Sequence, residues 1–183
     1  MSDISDRYRR LADHFAAIIA ATPQDRWSAP SPCEDWTATD VVTHVVDAQA
    51  MFLGLVGRTP VDAPPAAEQP LAAFRAVSAQ VLADLEDPER AAETFEGFAG
   101  TSRFDVAVDR FVSFDLVVHG WDLARATGGD ETIDPAEAER LLTVDVPAFG
   151  DMLHAPGVCG PALPVAEDAP VAQRLLAELG RSS

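Results

Sequence analysis

No lysine occurs in the 183 residues: all thirteen basic side chains are arginines. That absence removes Schiff-base chemistry and the phosphate-cradling lysine of P-loop nucleotide binders. Thirty Asp and Glu against thirteen Arg leave a formal net charge of −17. Nucleic-acid backbones and anionic lipid surfaces are therefore repelled, and neither is an expected partner. No apolar run is long enough to cross a bilayer. The opening stretch, MSDISDRYRR, lacks the apolar segment and small-residue cleavage site of a secretory signal. Cysteine is scarce, with Cys33 and Cys159 far apart in the chain. Without an export signal they are expected as reduced thiols, in the cytoplasm, rather than as a disulfide. Almost nothing alternates with period two, and no repeat, low-complexity tract or second-domain boundary appears, so one domain over 1–183 is expected.

What is present is helical periodicity. Ile4, Tyr8, Leu11, Phe15, Ile18 and Ile19 predict a first helix over about 3–21, with Pro23 as its breaker. Thr37 as N-cap, with Asp40 three residues on and a Trp36/Val41 hydrophobic staple, marks the start of a second helix reaching about Val56. The proline-rich stretch 58–69 reads as a crossover linker. A third helix spans about 70–86, and 93–102 reads as a loop with a short extended piece. The fourth and longest helix runs from about Arg103 to Thr127 and stops at Gly128. Asp134-Pro135 opens a fifth that continues to Met152 with a bend near Pro147, and a last short helix carries Leu175, Leu176 and Leu179, with Asp168-Ala169-Pro170 as its cap. The class is all-α, and four long helices with one crossover predict a bundle.

On the fourth helix Val108, Val112, Asp115, His119, Asp122 and Ala126 follow steps of four and three, the spacing of one helical face. An apolar seam there gives way to acid, imidazole and acid. Side chains at i and i+4 stand roughly 5–6 Å apart, close enough for Asp115 and His119 to share one metal ion. His44, bordering the apolar stripe of the second helix, is the best third ligand. Two imidazoles and a carboxylate suit Zn²⁺, Ni²⁺ or Fe²⁺ and leave a coordination position open. Plainer readings stand beside this one. Asp115 and His119 form an ordinary surface pair, His44 is a half-buried histidine, and Asp122 pairs with Arg125 or fixes an imidazole. Cys33 then fills space, Trp36 and Trp121 pack, and His14 and His154 lie at the surface.

The segments Ser31-Pro32-Cys33-Glu34-Asp35-Trp36-Thr37, Val41-Val42-Thr43-His44 and Asp115-Leu116-Val117-Val118-His119-Gly120-Trp121-Asp122-Leu123-Ala124 resemble the metal-binding domain of mycothiol-dependent maleylpyruvate isomerases, in the DinB/YfiT-like superfamily. The likeness extends to Asp168-Ala169-Pro170 and Leu179-Gly180-Arg181. It implies a DinB-like four-helix bundle with additional C-terminal helices, and a metal, usually zinc, on His44, Asp115 and His119 with Asp122 supporting from behind. It also implies a low-molecular-weight thiol, mycothiol, bound to that metal as a thiolate that attacks small electrophiles, the chemistry of a transferase or isomerase. The isomerases carry glutamate where Asp115 stands, and a further C-terminal domain for which this chain has no room, so maleylpyruvate isomerisation itself is not carried over. A non-catalytic metal- or small-ligand-binding bundle is the alternative, since no additional acid or base accompanies the three ligands. A metal-free bundle acting through association is a third reading, and the many alanines leave a homodimer open.

Overall fold

The computed structural model describes residues 3–97, 100–155 and 157–182. It divides into two compact units, Met1–Glu131 and Thr132–Ser183.

In the first unit, helix α1 (Asp3–Ala21) buries Tyr8, Leu11, Phe15 and Ile19 along one stripe. Burying a large apolar side chain of this kind contributes about 1.5–3 kcal/mol, which is what makes the stripe decisive. Helix α2 (Ala38–Leu55) starts where Thr37 and Asp40 form a reciprocal capping box: the Asp40 carboxylate accepts from the Thr37 N–H, and the Asp40 N–H reaches the Thr37 hydroxyl. The Thr37 hydroxyl also donates to the Asp40 carboxylate at 2.6 Å, and this bond, together with the one from the Thr37 N–H, holds the Asp40 carboxyl below its usual range. Helix α3 (Pro70–Glu86) carries Phe74, Val77 and Val81 inward, and the single turn α4 (Pro88–Ala91) is capped by Asp87. Strands β1 (Thr94–Gly97) and β2 (Gly100–Arg103) pair antiparallel in an otherwise helical protein. The short extended piece expected there is thus a pair of strands, and residues 98 and 99 lie outside the described residues.

The expected fourth helix is present with an irregularity. Helix α5 (Phe104–Ala107) passes through a π turn, Val108–Val112, into helix α6 (Ser113–Thr127), which ends at Gly128 in the left-handed region, φ 75°. A π turn adds a residue to one turn, so the face read from Val108 onward is regular only within α6, where Asp115, His119 and Asp122 lie.

Helices α1, α3, α2 and α6 form a ring in which each packs on the next. Side-chain pairings give their directions. Arg7 meets Asp109, and the Arg26 guanidinium donates to the Ala126 carbonyl, so α1 and α6 run parallel. Arg9 pairs with Glu86, which makes α1 and α3 antiparallel. Arg58, just past α2, meets Asp84 near the end of α3, so α2 and α3 are parallel. The order is up, down, down, up, and 58–69 is the crossover that this order requires, held to α3 by Gln80 bonds to Val61 and Thr59. At the ring's centre the Tyr8 hydroxyl donates to Gln49 Oε1, while Gln49 Nε2 donates to Val45 O. Burial pushes the Tyr8 phenol well above its ordinary pKa.

In the second unit helix α7 (Pro135–Arg140) is capped by Asp134, whose carboxylate accepts from the Ala136 N–H. A π turn, Leu141–Asp145, leads into α8 (Val146–Phe149) and a 3₁₀ turn, Gly150–His154. Pro147 lacks the N–H that would continue a regular ladder, so the expected bend is spread over several residues. Helix α9 (Val171–Glu178) packs on α7 and buries Leu175 and Leu176. Its cap is Pro170 with no side-chain bond, so Asp168 does not cap it as expected. No described helix is long and apolar enough to cross a membrane.

Candidate metal centre

The centre lies where α2 and α6 face each other, under the loop between α1 and α2. That loop is tied down by its backbone: Ser31 N–H donates to Trp36 O at 2.8 Å, Ala38 N–H to Ala29 O at 2.9 Å and Thr39 N–H to Trp27 O at 3.1 Å. Between Cys33 and Trp36 the chain makes a tight turn closed by Trp36 N–H to Cys33 O at 3.1 Å, with Asp35 at φ 63°. Among the described residues outside glycine, Asp35 alone has a positive φ, a conformation that aspartate tolerates better than most side chains. The turn presents Cys33 and Trp36 to the helices.

His44, Asp115 and His119 come together, with one ligand atom from each within 4.8 Å of the others. His44 Nε2 lies 3.5 Å from Asp115 Oδ2, and these two side chains are 38% and 23% exposed. The hydrogen bond with Asp115 raises the His44 pKa from its ordinary 6.5, against the opposing effect of burial and with help from the charges of Asp115 and Asp47. His119 is different. Its side chain is 11% exposed, and its Nδ1 stands 2.9 Å from Oδ2 of Asp122, which is fully buried. A carboxylate only accepts, so Nδ1 carries the proton and the lone pair of His119 is on Nε2. This is the arrangement by which proteins orient a metal-binding imidazole. The residues fit a divalent metal: a two-nitrogen, one-oxygen donor set, one imidazole pre-oriented, and one flank open to solvent.

Two neighbours escaped the sequence reading. Cys33 is not simply filling space, because its Sγ–H donates to the same Asp122 oxygen at 3.3 Å and lies 3.9 Å from His119 Nδ1. Cys33, His119 and Asp122 therefore make a second group able to hold a metal ion. Trp36, expected only as a packing residue in a staple, sets its ring 4.9 Å from that of His44 and 5.8 Å from that of His119. The position before an N-cap folds back along its helix, and this was the available signal, with His44 two turns into that helix. Arg125 pairs with Glu131 and lies over Trp121, so Asp122 serves the imidazole rather than Arg125. A separate cleft of about 510 Å³, lined by Ile19, Trp27, Leu71 and Arg75 among others, includes none of the candidate ligands.

Fold and site together define a four-helix bundle with a candidate metal centre between its second and fourth long helices. The chain belongs to the mycothiol maleylpyruvate isomerase N-terminal domain family, whose model matches residues 8–124. That match runs from α1 into α6 and takes in Cys33, Trp36, His44, Asp115, His119 and Asp122. Two uncharacterized proteins, from two strains of Mycobacterium tuberculosis, are each 30% identical over 176 residues, 96% of this chain and 96% of their own length. No solved structure matches.

Proposed function

We propose that the chain holds one divalent metal ion, zinc by preference, on His44 Nε2, Asp115 and His119 Nε2. With it the chain would bind a small thiol such as mycothiol, and so act as a thiol-dependent transferase or isomerase of small electrophiles. The observation that carries this reading is the asymmetry of the three ligands. His119 is buried and fixed by Asp122, whereas His44 and Asp115 border solvent. Three protein donors with an open flank are what catalytic metal sites keep and structural sites close. A metal in such a set supplies Lewis acidity that strips the proton from a thiol at neutral pH. The chain's own residues do the rest. Asp122 holds the His119 ring and fixes which nitrogen points outward. Trp36 lies against both imidazoles and packs one side of the centre. Asp115, one methylene shorter than the family's glutamate, stands 3.5 Å from His44 Nε2, within range of a shared ion without a shift of α6.

The test is elemental analysis of untagged protein, with thiol binding followed by calorimetry. Cys33→Ser is expected to keep near-stoichiometric metal and thiol binding, and Cys33→Ser/His44→Ala to lose both. Metal retained by the double variant would overturn the assignment of ligands. A metal-loaded protein that binds no thiol would favour the non-catalytic metal-binding alternative.

A further inference from the structure

We propose that Cys33, Asp122 and the Nδ1 face of His119 form a second metal seat, selective for thiophilic divalent ions, and that His119 makes the two seats mutually exclusive. The geometry fits. Bond lengths of about 2.0–2.1 Å for nitrogen or oxygen and 2.3 Å for sulfur place tetrahedral ligand atoms roughly 3.3–3.6 Å apart. Here the three edges are 3.3 Å from Cys33 Sγ to Asp122 Oδ2, 3.9 Å from Cys33 Sγ to His119 Nδ1, and 2.9 Å from His119 Nδ1 to Asp122 Oδ2. Their mean is close to the required edge, and an opening of the shortest one by about 0.4 Å with a closing of the longest by about 0.3 Å brings all three into that range. The seat is also built to stay in place. Asp122 is fully buried, and Cys33 is gripped by its turn, with its N–H donating to Ser31 Oγ at 3.1 Å and its carbonyl accepting from Trp36.

The donor sets separate the seats by chemistry. The outer one offers two imidazoles and a carboxylate; the inner one offers sulfur, nitrogen and oxygen, and thiolate selects softer ions. Binding at the inner seat forms a metal–sulfur bond and releases the Cys33 thiol proton to solvent. The ring proton of His119 leaves Nδ1 and is carried on Nε2 instead. A neutral imidazole has one lone pair, so an ion on Nδ1 deprives the outer seat of its buried ligand, and an ion on Nε2 restores the Nδ1–H bond to Asp122. The chain thus holds one metal at a time, and the softness of the ion decides where.

The experiment titrates the full chain with Cd²⁺ and with Co²⁺, reading stoichiometry and the thiolate-to-metal charge-transfer band. Wild type is expected to take one equivalent of Cd²⁺ with the band present. Cys33→Ser should bind Cd²⁺ at least about tenfold more weakly, because losing a direct sulfur ligand costs no less than losing the groups that merely support ligands, and without the band. His44→Ala, which leaves only the inner seat, should show the band with Co²⁺. Circular dichroism of each metal-free variant confirms that it is folded. No band in wild type with Cd²⁺ and none in His44→Ala with Co²⁺ would overturn the inner seat, as would a band that persists in Cys33→Ser and so belongs to Cys159. Two equivalents bound together in wild type would overturn the exclusivity. The outer seat is judged separately, because Cys33→Ser leaves it whole.

Discussion

The two flanks of the candidate centre are built differently. On one, His119 and Asp122 are buried and joined at 2.9 Å; on the other, His44 and Asp115 are 38% and 23% exposed and stand 3.5 Å apart. The buried flank is held by the fold whether or not an ion is present. The exposed flank is a pair of titratable groups near solvent, and an ion bound there gains more from them than the fold does. Function and stability therefore separate across a few ångströms: loss of the exposed flank should empty the outer seat and leave the fold, while loss of the buried flank should harm both.

The largest expected effect tests the exposed flank. An ion that binds only the native state at about 1,000 times its Kd stabilises by about 4 kcal/mol. Zinc should raise the urea midpoint of Cys33→Ser accordingly. In Cys33→Ser/His44→Ala the rise should vanish while metal-free stability stays within about 0.5 kcal/mol, as for other substitutions near the surface. A large metal-free loss in that comparison would mean that His44 is part of the core.

Asp122→Ala tests the buried flank. It strips the acceptor from His119 Nδ1–H and Cys33 Sγ–H at once. Hydrogen bonds to a charged group are worth about 1.5–3 kcal/mol, so metal-free stability should fall by that amount in denaturant unfolding. Metal affinity should fall about 10–100-fold as well. An unchanged midpoint would show that the buried carboxylate contributes nothing net. Smaller still is Thr37→Ala, which removes the cap at the head of the helix bearing His44. It should cost about 1 kcal/mol and leave metal stoichiometry intact.

Sequence periodicity carried the bundle, because Tyr8, Leu11, Phe15 and their counterparts repeat at the helical period and end at recognisable stops such as Gly128. The same local logic brought out Asp115, His119 and Asp122, which share one stretch of regular helix. Cys33 and Trp36 were not legible as site residues. Their positions depend on a turn with Asp35 at a positive φ and on backbone bonds that dock the loop, neither of which has a sequence period. The strand pair 94–97 and 100–103 was legible only as a short extended piece for a related reason: four-residue strands are too short to show alternation. The π turn at Val108–Val112 was hidden because the residues themselves are compatible with an ordinary helix.

The smallest effect is a titration, and it separates the flanks in the metal-free protein. The hydrogen bond with Asp115 raises the His44 pKa above 6.5. A raised histidine pKa means that the folded state favours the charged ring, so this pair's contribution to stability is complete below the unfolded value near 6.5 and fades as pH rises through the folded value. Metal binding needs the neutral ring and runs the other way, strengthening over the same interval. In proton NMR the His44 ring of metal-free protein should titrate above 6.5, and Asp115→Asn should lower its midpoint. A midpoint that does not move in Asp115→Asn would show that the two side chains are not coupled across the exposed flank, and would leave Asp115 without support as a ligand beside His44.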